Sequence, residues 1–315
     1  MTLAKDSGKG TARRLRVAVA QAGSCGFDSM ATLDRLAAIA GDAAAEGAEL
    51  AVFPEAFLGG YPKGIDFGIR LGSRSDAGRD IFRRYAAGAI TLPGPALDRL
   101  CGIAGDLGLA LVTGAVERAG GTLYCTAVFI GADGRYLGKH RKLMPTALER
   151  TIWGCGDGST MPVVDTPQGR IGAAICWENY MPLYRSHLYA QGVELYCAPT
   201  VDERDVWRAS MRHIAIEGRC FVLSACQHLR RRDLPEDLDC APGNDPDTVL
   251  IRGGSVIVSP MGEVLAGPVH DRDALLVAEL DMADIARGKF DLDVAGHYSR
   301  PDVFRLEVDD SPRTP

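Results

Sequence analysis

Short apolar runs alternate along the chain with longer stretches whose apolar positions recur three and four residues apart, the mark of strands interleaved with helices. Runs at 15–20, 50–53, 109–115, 125–130, 171–176, 195–198, 221–225, 254–258 and 275–280 have strand length and composition. The stretch 30–45 puts Leu33, Leu36, Ala37 and Ala40 on one helical face, and 205–218 gathers Val206, Ala209, Ile214 and Ile216. Gly131-Ala-Asp-Gly134 and Pro260-Met-Gly262 directly follow strand runs and predict hairpins, so parallel and antiparallel pairing should mix. The expected fold is α/β, with nine strands in one large sheet or two stacked ones under covering helices. No Pro- or Ser-rich linker and no internal repeat breaks 15–285, which predicts one domain there between a loose arm at 1–14 and a C-terminal tail at 286–315. Segments 63–89, rich in Gly and Arg, and 230–248, with an Arg run, Pro, Asp and Gly, read as surface insertions.

Composition narrows the function. Hydrophobic residues make up 46% and charged ones 24%, ample for a globular core. The balance of 35 Lys+Arg against 41 Asp+Glu gives a net charge of −6 and no basic field for nucleic acid. The longest nearly apolar run, 107–116, falls far short of the ~20 residues that cross a bilayer, and the apolar stretch after the N-terminal basic residues is too short for an export signal. Neither nucleic acid nor a membrane is an expected partner. Nine cysteines, an odd number with no export signal, point to free thiols in a reducing compartment, the cytoplasm.

Three residues carry candidate chemistry. Cys176 closes the run 170–175 and opens a segment that can turn into a helix; such a junction exposes a side chain near backbone N–H groups that favour the thiolate. Glu55 ends another strand run, at the carboxyl edge where open α/β sheets place their sites, and a carboxylate there can accept a thiol proton. Lys142 closes a cluster that includes Lys139, His140 and Arg141, and the apolar Leu143-Met-Pro after it suggests that at least one of these points inward. Singly, each has a plainer reading: one of nine buried thiols, a solvated loop glutamate, a solvated basic surface. Gly154-Cys-Gly-Asp-Gly158 lacks both the preceding strand and the following Lys-Ser/Thr of a phosphate loop. No Cys-x-x-Cys, His-Glu-x-x-His or paired histidine at metal spacing occurs, so neither metal nor cofactor is expected.

Together, Phe53-Pro-Glu55, His140-Arg-Lys142 and Ile175-Cys-Trp-Glu-Asn-Tyr-Met-Pro-Leu183 resemble the carbon–nitrogen hydrolase superfamily, and specifically its nitrilase branch. Leu195-Tyr-Cys-Ala-Pro-Thr200 and Phe221-Val-Leu-Ser-Ala-Cys-Gln227 are most similar to plant-type and related bacterial nitrilases. The resemblance implies a four-layer αββα sandwich and a catalytic triad of Glu55, Lys142 and Cys176. It also implies a supporting second glutamate at Glu149 and a substrate pocket lined by Tyr61, Trp153 and Trp177. Subunits of this family pair to extend the sandwich and commonly build spirals or filaments, so a homo-oligomer is expected, with 230–248 and the tail at the contacts.

The implied reaction takes a nitrile to the carboxylic acid and ammonia through a cysteine thioimidate and thioester, and releases amide when the thiol leaves first. An amidase or carbamoylase shares the triad, but Trp177-Glu-Asn after the nucleophile favours the nitrilase branch. Cyanide, a cyanoalanine, and arylaliphatic or small functionalised aliphatic nitriles are candidate substrates. A catalytically silent scaffold predicts loss of a triad member, and all three are present. The other eight cysteines are expected to tolerate Ala or Ser.

Overall fold

The computed structural model describes residues 13–313, so residues 1–12 of the expected arm lie outside the described residues. Its strands are β1 (Arg14–Gln21), β2 (Leu50–Val52), β3 (Ala110–Ala119), β4 (Thr122–Ile130), β5 (Tyr136–Arg141), β6 (Val163–Thr166), β7 (Gly169–Ala173), β8 (Leu195–Cys197) and β9 (Phe221–Ser224). The small pair β10 (His228–Arg230) and β11 (Val249–Arg252) follows, then β12 (Val256–Val258), β13 (Val264–Ala266) and β14 (Ala274–Asp281). One six-stranded sheet is ordered β14-β1-β2-β3-β4-β5 and the other β13-β12-β9-β8-β7-β6. Both have parallel centres, β1-β2-β3 and β7-β8-β9, and antiparallel hairpins at β3-β4-β5 and β12-β13. Both expected hairpins are there. β14 returns across the molecule to pair antiparallel with all of β1, Arg14 opposite Asp281 and Gln21 opposite Ala274.

Side-chain alternation builds the layers. On β1, Val17 and Val19 point to the space between the sheets, where they join Ile171, Leu195, Phe221 and Leu223. Ala18 and Ala20 face outward, against Leu33 and Leu36 of α1 (Ser29–Ala45). On the second sheet, Leu195 and Cys197 face inward while Tyr196 and Ala198 meet the outer helices. Those helices are α4 (Pro182–Ala190) and α5 (Asp205–Gly218), and α3 (Pro95–Leu107) lies beside α1; α2 (Asp76–Gly88) and α6 (Ala283–Lys289) are the remaining two. The result is the expected αββα sandwich. Asp28 caps α1 by accepting from Met30 and Ala31 N–H, and Pro95 opens α3 at its first turn.

Three sequence readings change. Segment 63–89 contains α2, whose buried face is little more than Tyr85, so its apolar periodicity was too sparse to see. On α5 the buried side chains are Trp207, Met211, Ile214 and Ala215, while Val206, Ala209 and Ile216 of the expected face are exposed. Strands β5, β6, β10, β11 and β13 lie outside the nine expected runs, being short edge or hairpin strands.

Candidate active site

Cys176, Glu55 and Lys142 lie just beyond the carboxyl ends of β7, β2 and β5, so both sheets contribute. After β7 the chain stays zipped to its neighbour: Ala174 N donates to Cys197 O and Cys176 N to Pro199 O. Cys176 then enters the left-handed region, φ 50°, to start a short 3₁₀ turn, Cys176–Tyr180. For a residue with a Cβ that conformation is strained and persists only when its surroundings impose it. Asn179 imposes it, with Nδ2 donating to Ala174 O at 2.9 Å and Cys176 O at 2.8 Å. Thr200 Oγ1 reaches the sulfur at 3.3 Å.

Glu55 is placed by a close backbone approach. Beyond β2 the chain keeps bonding to β3, through Phe53 N to Val112 O and Gly114 N to Pro54 O. A Cβ on Gly114 would lie 2.2 Å from Pro54 O and 2.7 Å from Glu55 Cα, closer than any side chain survives. Gly114→Ala is therefore expected to displace Glu55 and lower kcat by roughly 10²-fold, with a reduced Tm; steady-state kinetics and a melting curve on the purified variant check this.

Glu55, Lys142 and Cys176 are buried, and Glu149 reaches them from a surface turn. Lys142 Nζ is fully buried and donates to Glu55 Oε1 at 2.6 Å and to Glu149 Oε2 at 2.8 Å. Glu149, in the 3₁₀ turn Ala147–Thr151, also accepts Thr146 N at 2.6 Å and Tyr61 OH at 2.8 Å. Gln227 Nε2 donates to Glu55 O at 2.8 Å. Among the described residues Glu55 Oε2 has no hydrogen-bond partner, which leaves it as the open acceptor of the site. Burial lifts the Glu55 carboxyl to about 7 against the pull of Lys142, and the charge of Glu149 adds to the lift. Burial opposes charge on Lys142 too, yet Glu55 foremost and the other acidic neighbours hold it well above the usual lysine range. Burial, then Glu149, pushes the Tyr61 phenol up, so it stays a donor.

The thiol corrects an expectation. Burial, reinforced by Glu55, pushes Cys176 well above an ordinary thiol, so the resting sulfur is protonated and no free-standing thiolate is favoured. A reaction at this sulfur would have to remove its proton as the new bond forms, and Glu55, raised to about 7, is the neighbouring group able to accept it. Cys125, grouped with the replaceable cysteines, lies with its sulfur 3.6 Å from Glu55 Oε1 and so touches the site.

A cavity of about 300 Å³ opens beside Glu149 and Tyr61, walled by Ile65, Phe67, Ile69 and Ile152. Tyr61 thus borders both cavity and polar cluster. Trp153 lies behind it, ring centroids 5.8 Å apart and edge-on, with its indole N–H donating to Tyr85 OH. Trp177 is 43% exposed, donates to Asp202 Oδ2 and packs against the Arg204 guanidinium; it is not among the residues walling this cavity. Sequence reasoning passed over Thr200, Asn179 and Gln227, although all three stand in the quoted motifs; nothing in residue type alone marks which way an amide or hydroxyl points.

The pattern of the carbon-nitrogen hydrolase family matches residues 16–290. A bifunctional nitrilase/nitrile hydratase of Lupinus angustifolius is 57% identical over 306 residues, 96% of this chain and 88% of that one. An aliphatic nitrilase of Sinorhizobium fredii is 54% identical over 301 residues, 96% and 97% of the two chains. Among solved structures, an amidase from Nesterenkonia sp. superposes with TM-score 0.66 at 23% identity, over 88% of this chain and 95% of that one. The C. elegans NitFhit protein gives 0.72 at 20%, over 94% and 67%. At such identities these two likenesses establish the fold.

Proposed function

The chain belongs to the carbon-nitrogen hydrolase family, in its nitrilase branch, and from that premise we propose that it hydrolyses an organic nitrile to the carboxylic acid and ammonia through covalent adducts on Cys176. The observation that carries the residue assignment is Lys142, wholly buried between Glu55 and Glu149 at hydrogen-bond distance from both, beside the constrained Cys176.

The sulfur adds to the nitrile carbon while its proton passes to Glu55 Oε2 and on to the nitrogen, leaving a neutral thioimidate. Lys142 steadies the negative charge that builds on nitrogen as the triple bond opens. A water then adds as Glu55 takes its proton, giving a tetrahedral carbon bonded to sulfur, oxygen and nitrogen. Glu55 returns that proton to nitrogen, and as the C–N bond breaks the hydroxyl proton follows through Glu55, so that ammonia leaves and the thioester C=O forms; a second water releases the acid and restores the thiol. Breaking the C–S bond instead releases the amide. Glu149, fixed by Thr146 N and Tyr61, keeps Lys142 charged and aimed.

The apolar cavity wall suits an arylaliphatic or small functionalised aliphatic R group, with Tyr61 and Phe67 its aromatic members; Trp153 supports Tyr61, and Trp177 would border a wider entrance. We also read the protein as a homo-oligomer built from dimers, because Leu183 and Val206 on one face and Phe290, Tyr298 and Phe304 in the tail stand exposed. The tail from 286 and the insertion 230–248 would make those contacts. Nine unpaired thiols suit a cytoplasmic enzyme, and no helix among the described residues is long and apolar enough to cross a membrane.

Product analysis on matched nitrile and amide pairs tests the activity. Acid and ammonia from nitriles, with a minor amide fraction and little turnover of added amide, is the expected result. Turnover of amides alone would move the protein to the amidase branch, and far faster use of simple benzonitriles or cyanide would overturn the substrate class.

A further inference from the structure

Two residues flank the triad in sequence, His140 two positions before Lys142 and Glu178 two after Cys176, and they meet in the interior. Both side chains are wholly buried, with His140 Nε2 2.9 Å from Glu178 Oε2 and 3.1 Å from Oε1. The same carboxylate accepts two backbone N–H groups, Leu143 N on Oε1 at 2.7 Å and Ile175 N on Oε2 at 2.8 Å. Leu143 is the residue after Lys142 and Ile175 the residue before Cys176. Lys142 issues from an edge of the first sheet and Cys176 from the second, so one carboxylate ties the backbone at both triad members across the layer boundary.

The third partner fixes the clamp. His140 Nδ1 lies 2.7 Å from Thr160 O, a pure acceptor, so Nδ1 carries a proton. The proton on the far side then lies between Nε2 and Glu178, and the imidazole is further held by stacking on Tyr184 at 5.1 Å. We propose that Glu178, locked by His140, is a positioning residue that sets the separation of Lys142 and Cys176 and hence the rate of sulfur attack. The inference rests on the assignment of Cys176 and Lys142 made above.

Glu178→Gln tests it. The amide offers one acceptor where the carboxylate has two, so Ile175 or Leu143 loses its bond. The expected outcome is a fall in kcat of about 10²-fold with KM within about twofold, since a displacement of the order of 1 Å costs that much, and a parallel fall in the rate at which iodoacetamide alkylates Cys176. Glu217→Gln serves as the comparison: it breaks the α5 contacts to Arg185 and Tyr189 and should lower Tm with kcat within about twofold of wild type. Wild-type kcat and alkylation in Glu178→Gln, or losses that only track its folded fraction, would overturn the proposal. If Glu178→Gln does not fold, His140→Gln keeps both backbone bonds and removes the lock; a drop in kcat of about tenfold at unchanged KM supports the role, and an unchanged kcat sinks it. Cys176→Ala run in the same assay separates the two levels, because turnover surviving in that variant would overturn the site assignment itself.

Discussion

Replacing Cys176 by Ala is expected to remove nitrile turnover, on the order of 10⁴-fold or more in kcat, while leaving the fold as it is. The size follows from the absence, among the described residues, of a second free nucleophile at the site. Thr200 donates to the sulfur and is spent as a hydrogen-bond donor, and Cys125, the other thiol at the site, lies behind Glu55 with its pKa pushed well up by burial. Alanine fits the space, and the turn around it is pinned through backbone atoms, namely Cys176 N to Pro199 O and Asn179 to Cys176 O. Far-UV circular dichroism and the melting temperature should therefore match wild type while ammonia release falls to background. Measurable acid formation in the variant would remove Cys176 from the mechanism.

Glu55→Gln is expected to lose about 10²- to 10⁴-fold in kcat, the usual contribution of a positioned general base. It should also lose a limb of the pH profile. As a general base Glu55 would act only when ionised, and its affinity is raised from the ordinary 4.5 to about 7, so wild-type kcat/KM should climb about tenfold per pH unit below that value and level off above it. In the variant the residual rate should be flat through the same range. The stability effect has the opposite sense. A carboxyl whose folded-state value is raised contributes stability below its unfolded value, and that contribution is lost as pH rises through about 7. Gln mimics the protonated form, so at pH 8 the variant should melt no lower than wild type. A profile that keeps its acid limb in Glu55→Gln would assign the titration to another group.

Much of this architecture was legible in the sequence because burial leaves a periodic trace. The long inner strands β1, β3 and β4 are largely apolar on both faces, as strands sandwiched between layers must be, and they coincide with expected runs, as does the partly buried edge strand β14. What periodicity could not reveal were elements with little buried area, such as α2, and short edge strands such as β6, where Asp165 faces solvent. At the site, Glu55, Lys142 and Cys176 stood out by motif, and Glu149 and Tyr61 by likeness to the family; all five converge on one cluster. The charge states did not follow from motif. A cysteine near free N–H groups suggests a thiolate, but complete burial and a neighbouring carboxylate dominate, and only the packed structure shows how complete that burial is. Trp177 illustrates the converse: adjacency to the nucleophile along the chain says little about direction, because the strained turn at Cys176 sends the next side chain outward to Asp202.

The pairing of β14 with β1 has a consequence for how the protein is made. The two strands at one side of the first sheet, the edge strand β14 and its neighbour β1, are almost the last and the first strands to leave the ribosome. Until residue 281 has emerged, β1 offers a bare row of N–H and C=O groups along one side, an open edge of the kind that templates association between chains. Nascent chains stalled before Ala274 would carry that edge, so early termination in this gene should yield aggregates rather than shortened soluble enzyme, and chaperone demand should be concentrated in the last stretch of translation.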